Sequence, residues 1–145
     1  MRLPYNSRMM SSSNLLLGTD LVFLPRLERT FRRHGDAFFR KLLTPEELAY
    51  CREGGRLPHF FQRAGGRIAA KEAVSKALGT GLNGLGWGQG VDWAEIEVIS
   101  QSKRPPEIRL NGRALEFSSG LGVQQWRISL THDGDYAMAT VLGII

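Results

Sequence analysis

The segment RIAAKEAVSKALGTG, residues 67 to 81, places a carboxylate and an amine, Glu72 and Lys76, four positions apart. On a helix that spacing puts both on one face. It makes either a surface ion pair worth ~0.2–0.5 kcal/mol or part of a site for a phosphate and its counter-cation. Asp20 bears on the choice: it lies near the end of the apolar run NLLLGTDLVFL, and a carboxylate there needs a partner or a metal, because an unpaired buried charge is costly. Asp20 and Glu72 together form the kind of oxygen donor set that magnesium takes, one or two protein carboxylates completed by substrate phosphate and water. A nucleophile constellation is missing. There is no G-x-S-x-G elbow, Cys51 has no base next to it, and no Cys/His cluster has zinc spacing.

Three further features carry charge or backbone donors. Arg26, Arg29 and Arg33 recur at helical spacing with no acid between them on that face. Such a run is usually a solvated face, and otherwise it grips an acidic partner helix or phosphates. His132 closes a strand directly before a tight turn, where a hydrogen-bonding role is commoner than catalysis. The glycine-rich GTGLNGLGWGQG, residues 79 to 90, formally contains G-x-G-x-x-G. It follows a helix instead of a strand, so it is no dinucleotide fingerprint and reads as a helix stop with a connecting loop.

The elements that must position these residues are legible in outline. The leucine-rich run reads as a buried strand over about residues 15 to 21. A helix starts at Pro25, aligns Leu24, Leu27 and Phe31 on one face and stops at Gly35. TPEELAYCREGG carries Thr44 as N-cap, Pro45 in the first turn, Glu47 for a capping box, and Gly54 and Gly55 beyond the end. The helix bearing Glu72 and Lys76 is expected to follow AGG, over about residues 67 to 78. Beyond residue 90 the period becomes that of strands. AEIEVIS and EIRL flank a Pro105-Pro106 turn, GRALEFSSG is a short helix, and QWRISLTH and YAMATVL flank a hairpin turn at Asp133-Gly134. The expected class is α+β, with early helices packed on an antiparallel sheet built mainly from the second half.

A chain of 145 residues suits one domain, here 15–145, preceded by a flexible extension over 1–14. Of the 19 basic residues, 12 fall between positions 26 and 76 together with only 6 of the 14 acidic ones, so the positive field is regional and an acidic partner or a polyphosphate is its natural target. The lone Cys51 fits a reducing cytoplasm, and the terminal apolar stretch YAMATVLGII is about half of the ~20 residues a membrane span needs.

These pieces resemble the holo-acyl-carrier-protein synthases, the small bacterial-type 4′-phosphopantetheinyl transferases. LLGTDLVFLPR is similar to their first motif, RIAAKEAVSKALGTG to their signature helix, and FFRKLLTPEEL, DWAEIEVIS and RISLTHDGDYAMATV match in order and spacing. The similarity spans about residues 15 to 142. Leu16 stands where the family usually has glycine, the turn around Lys103-Arg104-Pro105 carries an extra Pro106, and Val22 supplies no third carboxylate.

The resemblance implies a hotdog-like α+β unit assembled as a homotrimer with active sites shared between subunits. It implies transfer of the 4′-phosphopantetheine arm of coenzyme A to a serine of apo acyl carrier protein, with adenosine 3′,5′-bisphosphate released, in support of fatty acid or polyketide synthesis. By position, Asp20 and Glu72 would hold Mg²⁺, and Glu72 and Lys76 would be catalytic, Lys76 acting on the departing phosphate. Arg67, Lys76, Thr80 and His132 would bind coenzyme A. Arg26, Arg29 and Arg33 would hold the carrier protein. Whether Glu72 or a water on the metal takes the serine proton stays open.

Two other classes compete. A nucleic-acid-binding module would use the basic helix without Mg²⁺, with affinity falling steeply with salt. Against it, no aromatic residue interleaves the three arginines apart from Phe31 on the core side, so no nucleic acid partner is expected. A family member degraded to a scaffold would not need Asp20, Glu72 and Lys76 intact.

Overall fold

The computed structural model describes residues 14–84 and 90–145, so the expectation of a flexible extension lies, apart from Asn14, outside the described residues, as does the middle of the glycine-rich loop. Strand β1 (Leu15–Phe23) leads directly into α1 (Leu24–His34), with Pro25 in the first turn and Gly35 ending the helix at φ 59°. A short α2 (Asp36–Leu42), which the sequence reading did not separate, precedes α3 (Pro45–Arg52). The α3 capping box forms as expected. Thr44 Oγ1 accepts from the Glu47 amide at 3.2 Å, while Glu47 Oε2 accepts from the Thr44 amide at 2.8 Å.

Helix α4 (Leu57–Leu78) corrects the expectation that this helix begins near residue 67. Its 22 residues run straight through Gly65 and Gly66, which are packing residues and not breaks. A Cβ on Gly65 would meet Leu24 Cδ2 at 2.5 Å and the Ala137 methyl at 3.3 Å, so the glycine lets α4 lie against α1 and the sheet. Gly79 closes the helix in the left-handed region, as its position predicts.

A 3₁₀ turn (Trp93–Glu95) leads to β2 (Ile96–Ile99), which pairs antiparallel with β3 (Glu107–Leu110). After α5 (Gly112–Gly120), β4 (Gln125–Asp133) and β5 (Tyr136–Ile144) form the hairpin, turning at Gly134-Asp135, one residue later than expected. β5 is the centre of a three-stranded antiparallel sheet ordered β1-β5-β4, and β2-β3 is a separate ribbon. The α+β class is borne out, with the first strand of the chain completing a sheet otherwise made by the last two.

The sheet has one covered face. Val22, Ala137, Ala139 and Val141 are buried beneath α4, whose Ala69, Ala70, Ala73 and Val74 are fully enclosed. An aromatic cluster of Phe31, Phe39, Phe60 and Phe61 ties α1, α2 and α4 together, with ring centroids 5.0–6.5 Å apart. The opposite face corrects the picture of β1 as a buried strand: Leu15, Leu17 and Leu21 are 52%, 67% and 55% exposed, because alternate residues of a strand point to opposite faces. Across from them on β5, in register, stand Ile144, Leu142 and Met138.

Candidate active site

The site forms where β1 crosses α4, and a glycine decides how closely they cross. A Cβ on Gly18 would lie 1.9 Å from the Ala73 carbonyl oxygen, so strand and helix touch backbone to backbone. Two residues along the same strand face comes Asp20, and one turn either side of Ala73 on α4 lie Ala69 and Ala77, leaving Glu72 and Lys76 to meet the strand. Lys76 Nζ donates to Asp20 Oδ1 at 2.6 Å and to the Thr19 carbonyl at 3.2 Å. The lysine therefore pairs across the fold with Asp20, and the helix-surface ion pair that its spacing with Glu72 allowed is not the use made of it.

The second carboxylate is left in tension. Burial, and then the Asp20 carboxylate beside it, push the Glu72 carboxyl up to about 8, while Lys76 and Arg26 pull the other way. Asp20 Oδ2 is buried and has no donor among the described residues apart from the Glu72 carboxyl, which hydrogen-bonds Asp20 while it holds its proton, and the hydroxyl of Thr80 is buried without a partner among them. Two facing carboxyls that can both ionise only with a counter-charge are a donor set that a hard divalent cation relieves, although among the described residues no group of three such ligands exists and substrate oxygens must complete the shell. A cavity of about 420 Å³ opens on this point, lined by Glu72, Ser75, Lys76, Gly79, Thr80, Gly81 and Leu82. Of the expected residues, Glu72, Lys76 and Thr80 share this cavity, and Asp20 joins them through its contacts with Lys76 and Glu72.

Arg67 and His132 are not with them. They line a separate cavity of about 670 Å³, together with His59, Arg63 and Arg104, and among the described residues no carboxylate contributes to its wall. Arg67 is only 3% exposed and is held by three groups: the Arg63 carbonyl at 3.0 Å, Ser100 Oγ at 2.6 Å and the face of Tyr50, whose ring centre lies 4.1 Å from its guanidinium. Arg26, Arg29 and Arg33 stand exposed on α1, and Glu28, the acid in their midst, is bound instead to Arg32 at 2.6 Å.

The chain matches the family model described as the 4′-phosphopantetheinyl transferase superfamily over residues 16–141. It belongs to that family. It is 43% identical over 125 residues to the holo-[acyl-carrier-protein] synthase of Gloeobacter violaceus, covering 86% of this chain and 89% of that one. The corresponding protein of Halorhodospira halophila is 42% identical over 126 residues, covering 87% and 94%. Among solved structures, the holo-[acyl-carrier-protein] synthase of Neisseria meningitidis superposes with a TM-score of 0.71 at 29% identity, covering 88% and 96%. The Helicobacter pylori enzyme in complex with coenzyme A gives 0.69 at 27%, covering 87% and 97%. The chain is accordingly a phosphopantetheinyl transferase.

The sequence reading missed what surrounds these residues. Once α4 starts at Leu57, Arg63 lies one turn before Arg67, a spacing hidden while the helix was begun at residue 67. Glu47 appeared only as a cap, yet its carboxylate also accepts from the Val98 amide at 2.7 Å and from Lys71 Nζ at 2.7 Å, making a buried pair that locks α4 to α3 and β2.

Proposed function

We propose that this transferase acts as a holo-acyl-carrier-protein synthase, moving the 4′-phosphopantetheine arm of coenzyme A to a serine of apo acyl carrier protein with the help of Mg²⁺. The observation that carries the reading is the meeting of Asp20, Glu72 and Lys76 at the β1–α4 crossing. The serine oxygen bonds to the phosphorus bearing the pantetheine arm as the bond to adenosine 3′,5′-bisphosphate breaks, so charge collects on the departing phosphate. Phosphoryl transfer needs positioning and charge neutralisation rather than a protein nucleophile. Asp20 and Glu72 are the residues to hold Mg²⁺, which when bound supplies Lewis-acid neutralisation of the pyrophosphate. Lys76 brings the other positive charge. The serine proton leaves to Glu72 or to a water in the site. Thr80, which lines the same cavity and whose buried hydroxyl has no partner among the described residues, would donate to the substrate.

Arg67 and His132 bind the phosphates of coenzyme A from the cation-lined cavity, and Arg26, Arg29 and Arg33 hold the acidic face of the carrier protein. Because one chain keeps these cavities apart, the complete site draws on two subunits. The apolar outer face of the sheet around Leu17, Leu21 and Met138 supports assembly through that face, as a homotrimer. Coenzyme A chemistry, the buried free thiol of Cys51, and the lack of any helix among the described residues long and apolar enough to cross a membrane fit work in the cytoplasm, in fatty acid synthesis.

The test is the intact mass of an apo acyl carrier protein incubated with this protein, coenzyme A and Mg²⁺. Addition of one phosphopantetheine group, abolished by EDTA, is the expected result. No addition to any of several carrier proteins would refute the reading. Sedimentation checks the assembly separately, since a fully active monomer at micromolar concentration would exclude a shared site.

A further inference from the structure

Tyr50 itself has none of the catalytic or substrate-binding roles above, yet two guanidinium groups are built around it. Arg63 lies 4.8 Å and Arg67 4.1 Å from its ring centre. The two arginines are one helical turn apart on α4, where like charges ordinarily repel. What makes the arrangement tolerable is the division of labour around the ring. Arg63 NH1 donates to the carbonyls of Tyr50 and Glu53 at 3.0 and 2.9 Å, spending its donors on the C-terminal end of α3, where a cation is favoured. Arg67 donates to the Arg63 carbonyl and to Ser100 Oγ, while its Nε is buried without a partner among the described residues. Tyr50, Arg63, Arg67 and Ser100 all line the cation-rich cavity.

We infer that Tyr50 and Ser100 are positioning residues for Arg67: the ring face and the serine hydroxyl fix the guanidinium before the nucleotide end of coenzyme A arrives, so that its ordering cost is met in the free enzyme. The inference rests on the functional reading above, in which Arg67 binds a phosphate of coenzyme A. An unsupported arginine loses rotamer freedom on binding, and preorganisation removes that cost from the affinity. The cavity lies apart from Asp20, Glu72 and Lys76 in the chain, so Arg67 grips a part of the substrate that does not react. Loss of its support weakens ground-state and transition-state binding equally, which raises KM and leaves kcat. The contact is made by the ring face, so phenylalanine keeps it.

The test is steady-state transfer at saturating carrier protein and varied coenzyme A. Tyr50→Leu should raise KM for coenzyme A about tenfold, on the scale of a partly desolvated cation–π contact, with kcat within about twofold of wild type and Tyr50→Phe close to wild type in both. Ser100→Ala, which removes only one hydrogen bond, should raise KM about threefold and serves as the probe if Tyr50→Leu does not fold. In an Arg67→Gln background the Tyr50→Leu effect should vanish, since the tyrosine acts through the arginine. An unchanged KM in both single variants, or an equal rise in the Arg67→Gln background, would overturn the inference while leaving the transferase reading intact. A wild-type protein that transfers nothing would overturn the transferase reading, and this inference with it.

Discussion

Two consecutive residues of α4 enter two very different carboxylate–amine clusters. Lys71 points to Glu47 and Glu72 points to Asp20, and comparing the two explains which cluster is structure and which is function. Around Glu47 every partner is in place: Oε2 takes Lys71 Nζ at 2.7 Å and the Thr44 amide at 2.8 Å, Oε1 takes the Val98 amide at 2.7 Å, and Lys71 also donates to the Trp93 carbonyl at 2.9 Å. Burial pulls the Lys71 ammonium below its ordinary range, and Glu47 opposes that pull. Around Asp20 the cluster is incomplete: apart from the neighbouring Glu72 carboxyl, itself pushed up to about 8, Oδ2 has no donor among the described residues, and the Thr80 hydroxyl has no partner among them. A buried polar group is normally satisfied by its own protein. The fold satisfies one cluster completely and its neighbour incompletely, and the incomplete one is the cluster proposed above for substrate and cation.

Substitution should therefore separate the clusters. Glu72→Gln is expected to lower kcat/KM about a thousandfold, the loss of several kcal/mol of charge neutralisation, with a melting temperature at or above that of the metal-free wild type, measured in parallel by transfer kinetics and calorimetry. Lys71→Met should do the reverse, costing about 3–5 kcal/mol of stability by stranding the buried Glu47, as read by urea denaturation. If Lys71→Met proved as stable as wild type and Glu72→Gln unfolded, the assignment of structure and function to the two clusters would be inverted.

The next effect is geometric. Gly18→Ala puts a methyl into the Ala73 carbonyl and must push β1 off α4. A cost of about 1–3 kcal/mol is expected from overpacking, together with weaker Mg²⁺ dependence of activity as Asp20 moves from Glu72, whereas Gly66→Ala, with its nearest outside atom at 3.9 Å, should be tolerated.

A further effect is a pH dependence carried by the open cluster. The folded-state value of Glu72, about 8, lies above its ordinary 4.5, so the native metal-free protein holds a proton that the unfolded chain gives up. That contribution to stability is complete below about 4.5 and is lost as pH rises through about 8. The melting temperature of metal-free protein should fall across that window, and Glu72→Gln should flatten the fall.

How much of this could be read without coordinates depended on range. The Thr44 capping box and the Gly35 and Gly79 stops are written in adjacent residues and appear as expected. The start of α4 was obscured because Gly65 and Gly66 look like a break when only neighbours in sequence are considered. Their reason is Leu24 and Ala137, far away in the chain. The outer leucines of β1 read as core for a similar reason, since a leucine-rich strand does not reveal that one face lacks cover in a single chain. Glu72 and Lys76 were found by spacing, but that Lys76 turns to Asp20, 56 residues earlier, is a property of the strand–helix crossing. Tyr50 carried no signal at all, because its role exists only through an arginine on another helix.

The central claim is that the Asp20–Glu72 cluster is unsatisfied because it awaits a cation. The measurement that tests it most directly is calorimetric titration of Mg²⁺ into the protein with coenzyme A bound, for wild type and Glu72→Gln side by side. One equivalent per chain in the wild type and no saturable binding in the variant is the predicted result. Equal binding by both would contradict the claim and move the metal, and the phosphate chemistry with it, away from the β1–α4 crossing.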